Sequence, residues 1–467
     1  MKKKFDFGKL FYGIGNLAYG TVSQTEENFV MFFGTTVLGL SGVLMGIIVA
    51  ISVFWDAISD PIVGRISDST NNMVFGKRHG YILFATVGMA VTNLFLWQIS
   101  PEWSVASKAI VLFLMIMLLE TFNTFFASPH GALGVEISTS THDRTKIMSI
   151  KTVFFLFGML MPSFLLLAFS SSVEGQISSS QLVKMGYATS IICFVFGLVC
   201  FFGTLKYIKK NPYVISRKQV AKKSSVLASF FSAFYSREKR AVILGYSTSL
   251  LSTAFLSASG LHMFTFSFHF SGAQISSLML VMFVTAILSQ PFWIKQSKLT
   301  SKIRAIMSAT RIAIIGSLLL ALVYVFSRDI GVLTFTFSIV ALCVCGFGIG
   351  ALFSLPISMY SDIIVAERGE QTSCATQLGF LNLANKFSNA FGLLFVGVLL
   401  DLVKFNSKMP VQTLEVQNNL AFIVIAGVVA SLVVSIWLYR TASPKKSFLA
   451  KFFKTFRRGK LNEVQTN

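Results

Sequence analysis

Long apolar segments separated by short polar ones run through almost the whole chain. A bilayer core of ~30 Å requires about 20 apolar residues in a helix, and segments of this length recur along the sequence. The pattern therefore predicts an all-α polytopic membrane protein with twelve transmembrane helices. The predicted segments are 10–35, 42–64, 80–100, 105–133, 150–171, 182–205, 241–264, 271–294, 305–327, 330–359, 373–402 and 418–440.

Composition and charge sharpen this picture. The chain is 54% hydrophobic and 13% charged, with a mean hydropathy of +0.70, as expected for a polytopic membrane protein. Its net charge of +21 would suggest a nucleic-acid partner, but 32 of the 40 Lys and Arg residues fall in segments on one side of the predicted membrane and five on the other. This asymmetry follows the positive-inside rule. We therefore expect a cell-membrane protein with both termini cytoplasmic and no nucleic-acid partner.

A long basic break divides the predicted helices into two sets of six. It gives an N-terminal six-helix half over 1–205, a basic cytoplasmic loop over 206–240, a C-terminal six-helix half over 241–440 and a basic cytoplasmic tail over 441–467. Within the loop and the tail, the aromatic and basic segments 226–234 and 448–458 are typical of short helices on an anionic membrane surface. Membrane lipids are therefore expected partners, and no feature requires an oligomer.

The second apolar segment carries two carboxylates at its end, Asp56 and Asp60. Residues four apart lie on the same face of a helix, and Ser59 lies beside them. A carboxylate at membrane depth costs roughly 2.5–3.5 kcal/mol, and two on one face repel each other. One interpretation is a structural helix end paired with Arg65. The other is a binding site for a hard cation, Na⁺ or H⁺, because oxygen ligands suit Na⁺ and a buried acid can take up a proton.

The residues around this pair resemble a known family. The run Trp55 to Gly64, followed by Gly76-Lys77-Arg78, resembles the loop between helices 2 and 3 of the major facilitator superfamily and, more narrowly, the signature of the melibiose permease family, the glycoside-pentoside-hexuronide:cation symporters. Nearly the whole chain shares the resemblance, and four further fragments match it. These are Tyr12-Gly13-Ile14-Gly15, Gly39-Leu40-Ser41, Pro129-His130-Gly131-Ala132-Leu133 and Asn385-Lys386-Phe387-Ser388.

The resemblance implies a cation site and a coupling residue. The family's cation-binding carboxylates fall on Asp56 and Asp60, which would be the metal ligands if Na⁺ is the ion, and its helix 4 hydroxyl falls on Thr124. Ser59 stands where the sugar-transporting members have asparagine. The family's helix 11 lysine falls on Lys386, which also stands out by itself because it lies among apolar residues far from the ends of its segment.

The substrate half of the family pattern matches less well. Gly20, Ala127 and Gly131 stand where the sugar-binding members have two aspartates and a tryptophan that stacks on the sugar. Lys151 takes the place of a helix 5 arginine. We therefore expect neutral disaccharides to be poor substrates and Lys151 to contact a charged solute.

Other polar residues lie near the expected substrate cavity. Glu26 and Glu27 are adjacent on helix 1 and point about 100° apart, so only one can face the cavity squarely, and we favour Glu27. Gln24 and His130 are further candidates for substrate binding, although a hydrogen-bonded packing role for His130 is the alternative. Glu120 lies deep in an apolar run, and the sequence assigns no partner to it.

Three functions remain open at this stage. The first is a cation-coupled secondary transporter that moves a sugar, a glycoside or a charged sugar derivative by alternating access. The second is a cation-coupled lysolipid or lipid transporter on the same scaffold, which the loss of sugar-binding groups and the 48 Phe residues would suit. The third is a membrane scaffold or sensor that does not transport. The sequence contains no nucleotide-binding loop and no convincing catalytic constellation, so we expect neither an enzyme nor a cofactor other than the coupling ion.

Overall fold

A computed structural model describes residues 6–70, 74–137, 141–169, 177–210, 236–366, 374–406, 409 and 411–442. Helices account for nearly all of these residues, and no strand occurs among them. The predicted surface helices at 226–234 and 448–458 lie outside the described residues. The limits of the predicted domains therefore stay predictions.

Twelve long helices make up the described part of the chain. They are α1 (Phe7–Phe32), α2 (Gly42–Ser69), α3 (His79–Leu96), α4 (Val105–Glu136), α5 (Thr141–Phe169), α6 (Ser179–Thr204), α7 (Arg237–His262), α8 (Gly272–Leu299), α9 (Lys302–Val325), α10 (Leu333–Leu352), α11 (Cys374–Leu402) and α12 (Leu414–Ala442). After a two-residue break, a further helix, Leu355–Ala366, continues α10, so this span extends beyond its predicted end. A single helical turn, Ser327–Ile330, links α9 to α10.

The first helix differs from the other eleven. Within the described residues, α2 to α12 are each long and apolar enough to cross a membrane. With 26 residues, α1 is long enough to cross a membrane, but Asn16, Gln24, Glu26 and Asn28 lower its hydropathy. These four side chains are buried against neighbouring helices. The sequence pattern alone overstated the apolar character of this segment, because its polar residues are sheltered by protein rather than by lipid.

The helix packing repeats after six helices. In the first half α1 packs on α5 and α6, α2 on α4, and α3 on α4 and α6; in the second, α7 packs on α11 and α12, α8 on α10, and α9 on α10 and α12. The two sets meet where α2 packs on α11, α5 on α8, and α1 on α7. Moving six helices along the chain takes α2 to α8 and α5 to α11, so the contacts α2–α11 and α5–α8 are equivalent in the two halves.

The turns that follow α1 and α7 have the same construction. Each helix ends in a π-helical turn, Phe33–Val37 or Met263–Ser267, and the next helix begins after a serine N-cap, Ser41 or Ser271. A residue with positive φ lies two positions before each cap. It is Gly39 (φ 68°) in the first turn and His269 (φ 57°) in the second. We call the end of the bundle with these two turns the turn face. The opposite end, where Lys77 and Arg78 connect α2 to α3, is the basic face.

Arg78 ties three helices together at the basic face. Its Nη2 lies 2.5 Å from Asp68 Oδ1 at the end of α2 and 2.7 Å from Glu136 Oε1 at the end of α4, and its Nη1 donates to Ser67 Oγ. Burial lowers the pKa of the Arg78 guanidinium, but the hydrogen bonds to Glu136 and Asp68 outweigh this effect, and the pKa is raised overall. The guanidinium therefore stays charged and holds α2, α3 and α4 in register.

Candidate functional site

The middle of α2 presents Asp56, Ser59 and Asp60 to two neighbouring helices. Pro61 has no N–H group, so the helix loses one backbone hydrogen bond beside these residues. The Ser59 hydroxyl donates to the Asp56 carbonyl at 3.2 Å and is buried against α4. Trp55 Nε1 donates to Thr121 Oγ1 of α4 at 2.9 Å and fixes the orientation of this part of α2.

Lys386 of α11 binds both carboxylates. Its Nζ lies 2.7 Å from Asp56 Oδ2, and it also donates to Asp60 Oδ2. The side chains of Asp56, Asp60 and Lys386 are 22%, 42% and 25% exposed, so the group is accessible rather than sealed inside the protein. One ammonium from the second half thus holds two carboxylates of the first half.

Thr124 of α4 completes this group. Its hydroxyl donates to Asp56 Oδ1 at 2.9 Å and lies 3.1 Å from Ser59 Oγ. The structure therefore brings together the five residues predicted for cation binding and coupling, namely Asp56, Ser59, Asp60, Thr124 and Lys386. Their roles stay predictions.

The group has the donor atoms that a hard cation needs. Four carboxylate oxygens and two hydroxyls converge, but Lys386 occupies one oxygen of each carboxylate. A Na⁺ ion would have to displace the ammonium to reach these oxygens. Within the described residues, no cluster of three or more His, Cys, Asp or Glu residues is arranged to hold a metal ion. Any ion here would therefore depend on the two aspartates and the hydroxyls.

Two further carboxylates lie near this group, and the sequence had assigned no role to them. Glu120 lies one turn before Thr124 on α4, receives a hydrogen bond from Asn123 Nδ2 at 3.4 Å, and interacts electrostatically with Asp56, Asp60 and Lys386. Glu26 of α1 is 5% exposed, and its Oε2 has no hydrogen-bond partner in the described structure. For both Glu120 and Glu26, the only sign of a functional role in the sequence was a charged residue in the middle of an apolar run.

The candidate substrate residues Glu27 and Lys151 both remain accessible. Glu27 is exposed, whereas the adjacent Glu26 is buried, as their 100° separation requires. Lys151 of α5 is half-buried, and among the described residues its Nζ has no hydrogen-bond or ion-pair partner. The position that a Cβ would take on Gly131 of α4 lies 3.9 Å from this Nζ. The missing side chain at 131 thus leaves space beside the ammonium.

Gln24 and His130 lie in packed surroundings instead. Gln24 Nε2 donates to Asn28 Oδ1 at 2.9 Å on α1. His130 is fully buried, stacks between Tyr12 and Phe126 with ring centroids 4.2 and 5.1 Å away, and donates from Nε2 to the Tyr12 carbonyl. The structure does not bring either side chain to the Asp56–Lys386 group, and the packing alternative for His130 fits its surroundings.

A separate apolar crevice lies on the outside of the second half. It has a volume of about 600 Å³, within the ~300–1,000 Å³ range usual for ligand pockets. Leu251 and Phe255 of α7 form its floor, and Phe391 and Phe395 of α11 are largely exposed at its edge. Ser388, two residues from Lys386, contributes one of its few polar groups.

The comparisons with curated proteins point to transporters. The family model described as MFS/sugar transport protein matches residues 11–443. The chain is 24% identical to the Inner membrane symporter YicJ of Escherichia coli over 45% of each chain. It is 21% identical to the Glucuronide carrier protein homolog of Escherichia coli over 77% of this chain and 74% of that one. The matched region spans less than half the length of the first relatives found: 39% for the uncharacterized symporter YnaJ of Bacillus subtilis and 45% for YicJ.

The solved structures support the same fold. A bacterial homologue of the iron transporter ferroportin, solved in an inward-facing state, aligns with a TM-score of 0.67 at 11% identity over 95% of this chain and 100% of that one. The xylose transporter XylE from Escherichia coli, in a partially occluded inward open conformation, aligns with a TM-score of 0.62 at 12% identity over 95% and 98% of the two chains. The predicted fold and the resemblance noted in the sequence are confirmed. The chain belongs to the MFS/sugar transport protein family of the major facilitator superfamily.

Proposed function

We propose that this protein is a cation-coupled symporter that moves a charged polar solute by alternating access. The observation that carries the proposal is the contact of one lysine of the second half, Lys386, with both carboxylates of the first half, Asp56 and Asp60. A protein that only maintained its fold would have no need for two carboxylates at membrane depth.

The proposed mechanism is a competition for the same oxygens. Without a cation, Lys386 offsets part of the charge on Asp56 and Asp60. An arriving Na⁺ or H⁺ competes for these oxygens and releases the ammonium, which changes the contact between the halves. Because coupling free energies are reciprocal, the state that favours cation binding also favours solute binding.

The accessibility of the group supports a state that is open toward the basic face. At the turn face, Thr35 of the π-helical turn after α1 lies 2.6 Å from His262 of α7, and the start of α2 packs tightly on the end of α11. Both contacts close the space between the halves at this end. The distribution of basic residues favours a cytoplasmic location for the basic face and both termini.

The positions that lack the family's sugar-binding side chains support a charged solute. A Cβ on Gly20 would lie 2.9 Å from the Phe155 ring, so the aromatic side chain fills the space that an acidic side chain would need. Glu27 and Lys151 offer opposite charges instead. Asn16, which donates to the Lys151 carbonyl, and Glu27 lie about 16 Å apart along α1, so the two charges belong to different depths of the bundle.

A lysolipid is the second candidate substrate, and the apolar crevice between α7, α11 and α12 favours it. A crevice of about 600 Å³ that is open at its edge could take an acyl chain from the membrane. One relative, the sodium-dependent lysophosphatidylcholine symporter 1-A of Danio rerio, is 24% identical over 37% of this chain and 30% of that one.

Uptake into proteoliposomes tests the proposed coupling. The purified protein is reconstituted and given a Na⁺ or a pH gradient, with 4-nitrophenyl glucuronide, 4-nitrophenyl glucoside and lysophosphatidylcholine as separate probes. We expect gradient-driven uptake of a charged probe, and loss of that uptake in Asp56→Asn and Asp60→Asn, because the amides lack the charge that binds a cation. Asp329→Asn, at an exposed position in the α9–α10 link, serves as the matched control. Uptake that stays fully gradient-dependent in both variants would contradict the proposal.

Lys151→Ala tests the substrate class. Loss of a charge-assisted contact worth about 1.5–3 kcal/mol should weaken binding of an anionic probe by roughly tenfold or more. The exposed Lys184→Ala on α6 is the matched control and should bind normally. Tight binding of a neutral glucoside that is unaffected by Lys151→Ala would instead favour an uncharged sugar.

A further inference from the structure

We propose that Glu26 of α1 is a second ion site, distinct from the Asp56–Asp60 pair, and that it binds a proton. The inference deepens the proposed function, on which its role in coupling rests, because it names a proton as one of the ions. The starting observation is geometric: the Glu26 side chain is 5% exposed, and its Oε2 is buried without a hydrogen-bond partner in the described structure.

The charges around Glu26 make an ionised state costly. Its electrostatic neighbours are Glu120 of α4, Asp56 of α2 and the adjacent Glu27, and all three are carboxylates. Charged groups of the other helices that pack on α1 lie at different depths: Lys151 of α5 is next to Asn16, and His262 of α7 is next to Thr35. From α6, the described structure provides no charged group beside Glu26. Among the described residues, no basic side chain is therefore placed to neutralise this carboxylate.

Lys386 cannot supply the missing charge. It already contacts Asp56 and Asp60 and interacts with Glu120, so one ammonium faces three carboxylates before Glu26 is counted. An isolated ionised carboxylate in a low-dielectric interior costs many kcal/mol, and such a group ordinarily takes up a proton instead. A proton is the smallest ligand that removes this cost, and it needs no further oxygen ligands.

The position of Glu26 suits a proton that is exchanged during transport. Tyr19, Ser23 and Glu26 follow each other at helical spacing on one face of α1, and Tyr19 lies close enough to Asp56, Asp60 and Glu120 to interact with them. This face thus connects Glu26 with the accessible Asp56–Lys386 group. When the halves move, the surroundings of Glu26 change, and the proton can leave in the other conformation.

Infrared spectroscopy tests the site without any substrate. Purified protein in lipid is titrated with pH, and the carbonyl band of protonated carboxylic acids is measured for the wild type, Glu26→Gln and Glu26→Asp. We expect Glu26→Gln to lose one carboxylic-acid band that the wild type shows at neutral pH. Glu26→Asp should keep that band at a shifted frequency, because it retains a titratable group. Glu415→Gln, in the exposed first turn of α12, is the matched control and should keep the wild-type band.

The outcomes separate this inference from the proposed function. A carboxylic-acid band that is unchanged in Glu26→Gln would overturn the proton site, whatever the uptake experiments show. Loss of the band in Glu26→Gln alone would support the site even if no probe solute is transported. Size-exclusion chromatography of each variant verifies that the protein is folded, and Glu26→Asp provides the comparison if the amide variant does not fold.

Discussion

The helices α2 and α11 meet at two places that are built in opposite ways. At the turn face the contact is made by backbone: a Cβ on Gly397 would lie 2.2 Å from the Gly42 carbonyl oxygen, and one on Gly46 would lie 3.0 Å from the Leu394 carbonyl oxygen. Near the middle of the same pair of helices, the contact is made by long charged side chains, Lys386 and its two aspartates. The contact at the turn face is close-packed, whereas the contact near the middle is an accessible ion pair.

A carboxylate also strengthens the turn-face contact. Asp401 of α11 accepts hydrogen bonds from the backbone N–H groups of Gly42 at 2.7 Å and Val43 at 3.0 Å, and so caps the first turn of α2. A negative charge at a helix N-terminus is favourable through the helix dipole. Glycine contacts and a cap depend on one geometry, whereas a carboxylate can exchange an ammonium for another cation. We propose that the turn face holds the closed state and that the ion pair lets this state respond to the cation.

The largest effect is expected from removing the ion pair. Lys386→Ala leaves Asp56 and Asp60 without a counter-charge in the ion-free carrier, and the empty protein should reorient poorly. We expect net uptake to fall by at least about tenfold, or ~1.4 kcal/mol in barrier, since one partner of an ion pair is left alone. Cation binding, measured as thermal stabilisation by Na⁺ or H⁺, should be retained because the oxygens remain.

The control for this variant is Lys298→Ala, at an exposed position near the end of α8, which should transport normally. Normal net uptake by Lys386→Ala would show that the ion pair is not part of the transport cycle. Loss of cation binding together with uptake would instead assign Lys386 to the cation site itself.

A smaller effect is expected from disturbing the backbone contact. In Gly397→Ala the new methyl group collides with the Gly42 carbonyl, so α2 and α11 must separate at the turn face, at a cost of about 1–3 kcal/mol for overpacking. A cysteine introduced for the buried Thr35, which contacts α7, reports opening through its reaction with a membrane-impermeant maleimide. The rate of labelling should rise by about fivefold or more.

Gly260→Ala in the same Thr35→Cys background is the matched control. A Cβ at 260 has no neighbour closer than 3.4 Å, so this variant should label slowly. Equal labelling rates in the two alanine variants would mean that the glycine contact does not hold the turn face closed.

The smallest effect is expected from the cap. Asp401→Asn keeps an oxygen that can accept one hydrogen bond, but it removes the charge at the start of α2, which is worth about 0.3–1 kcal/mol. The Thr35→Cys labelling rate should rise less than in Gly397→Ala, by no more than about fivefold. A larger rise than in Gly397→Ala would reverse the assignment of the main contact, and Asp329→Asn provides the matched control.

The sequence determined the class of protein and one side of the site. Apolar runs of bilayer length report helices directly, because a membrane requires about 20 apolar residues wherever the helix lies in the bundle. The four-residue spacing of Asp56 and Asp60 likewise fixes a shared helix face without knowledge of any neighbour. The sequence also limited Glu26 and Glu27 to different directions, but it could not say which of them faces the protein interior.

Contacts between distant helices were decided by the tertiary structure alone. Lys386 lies more than 300 residues after the carboxylates that it binds, and nothing in the spacing of Asp401 predicts that it caps α2. The surroundings of Glu26 and His130 likewise depend on which helices cover α1 and α4. Helical periodicity is local, so it fixes directions around one axis, whereas the partner in each direction is set by how twelve helices pack together.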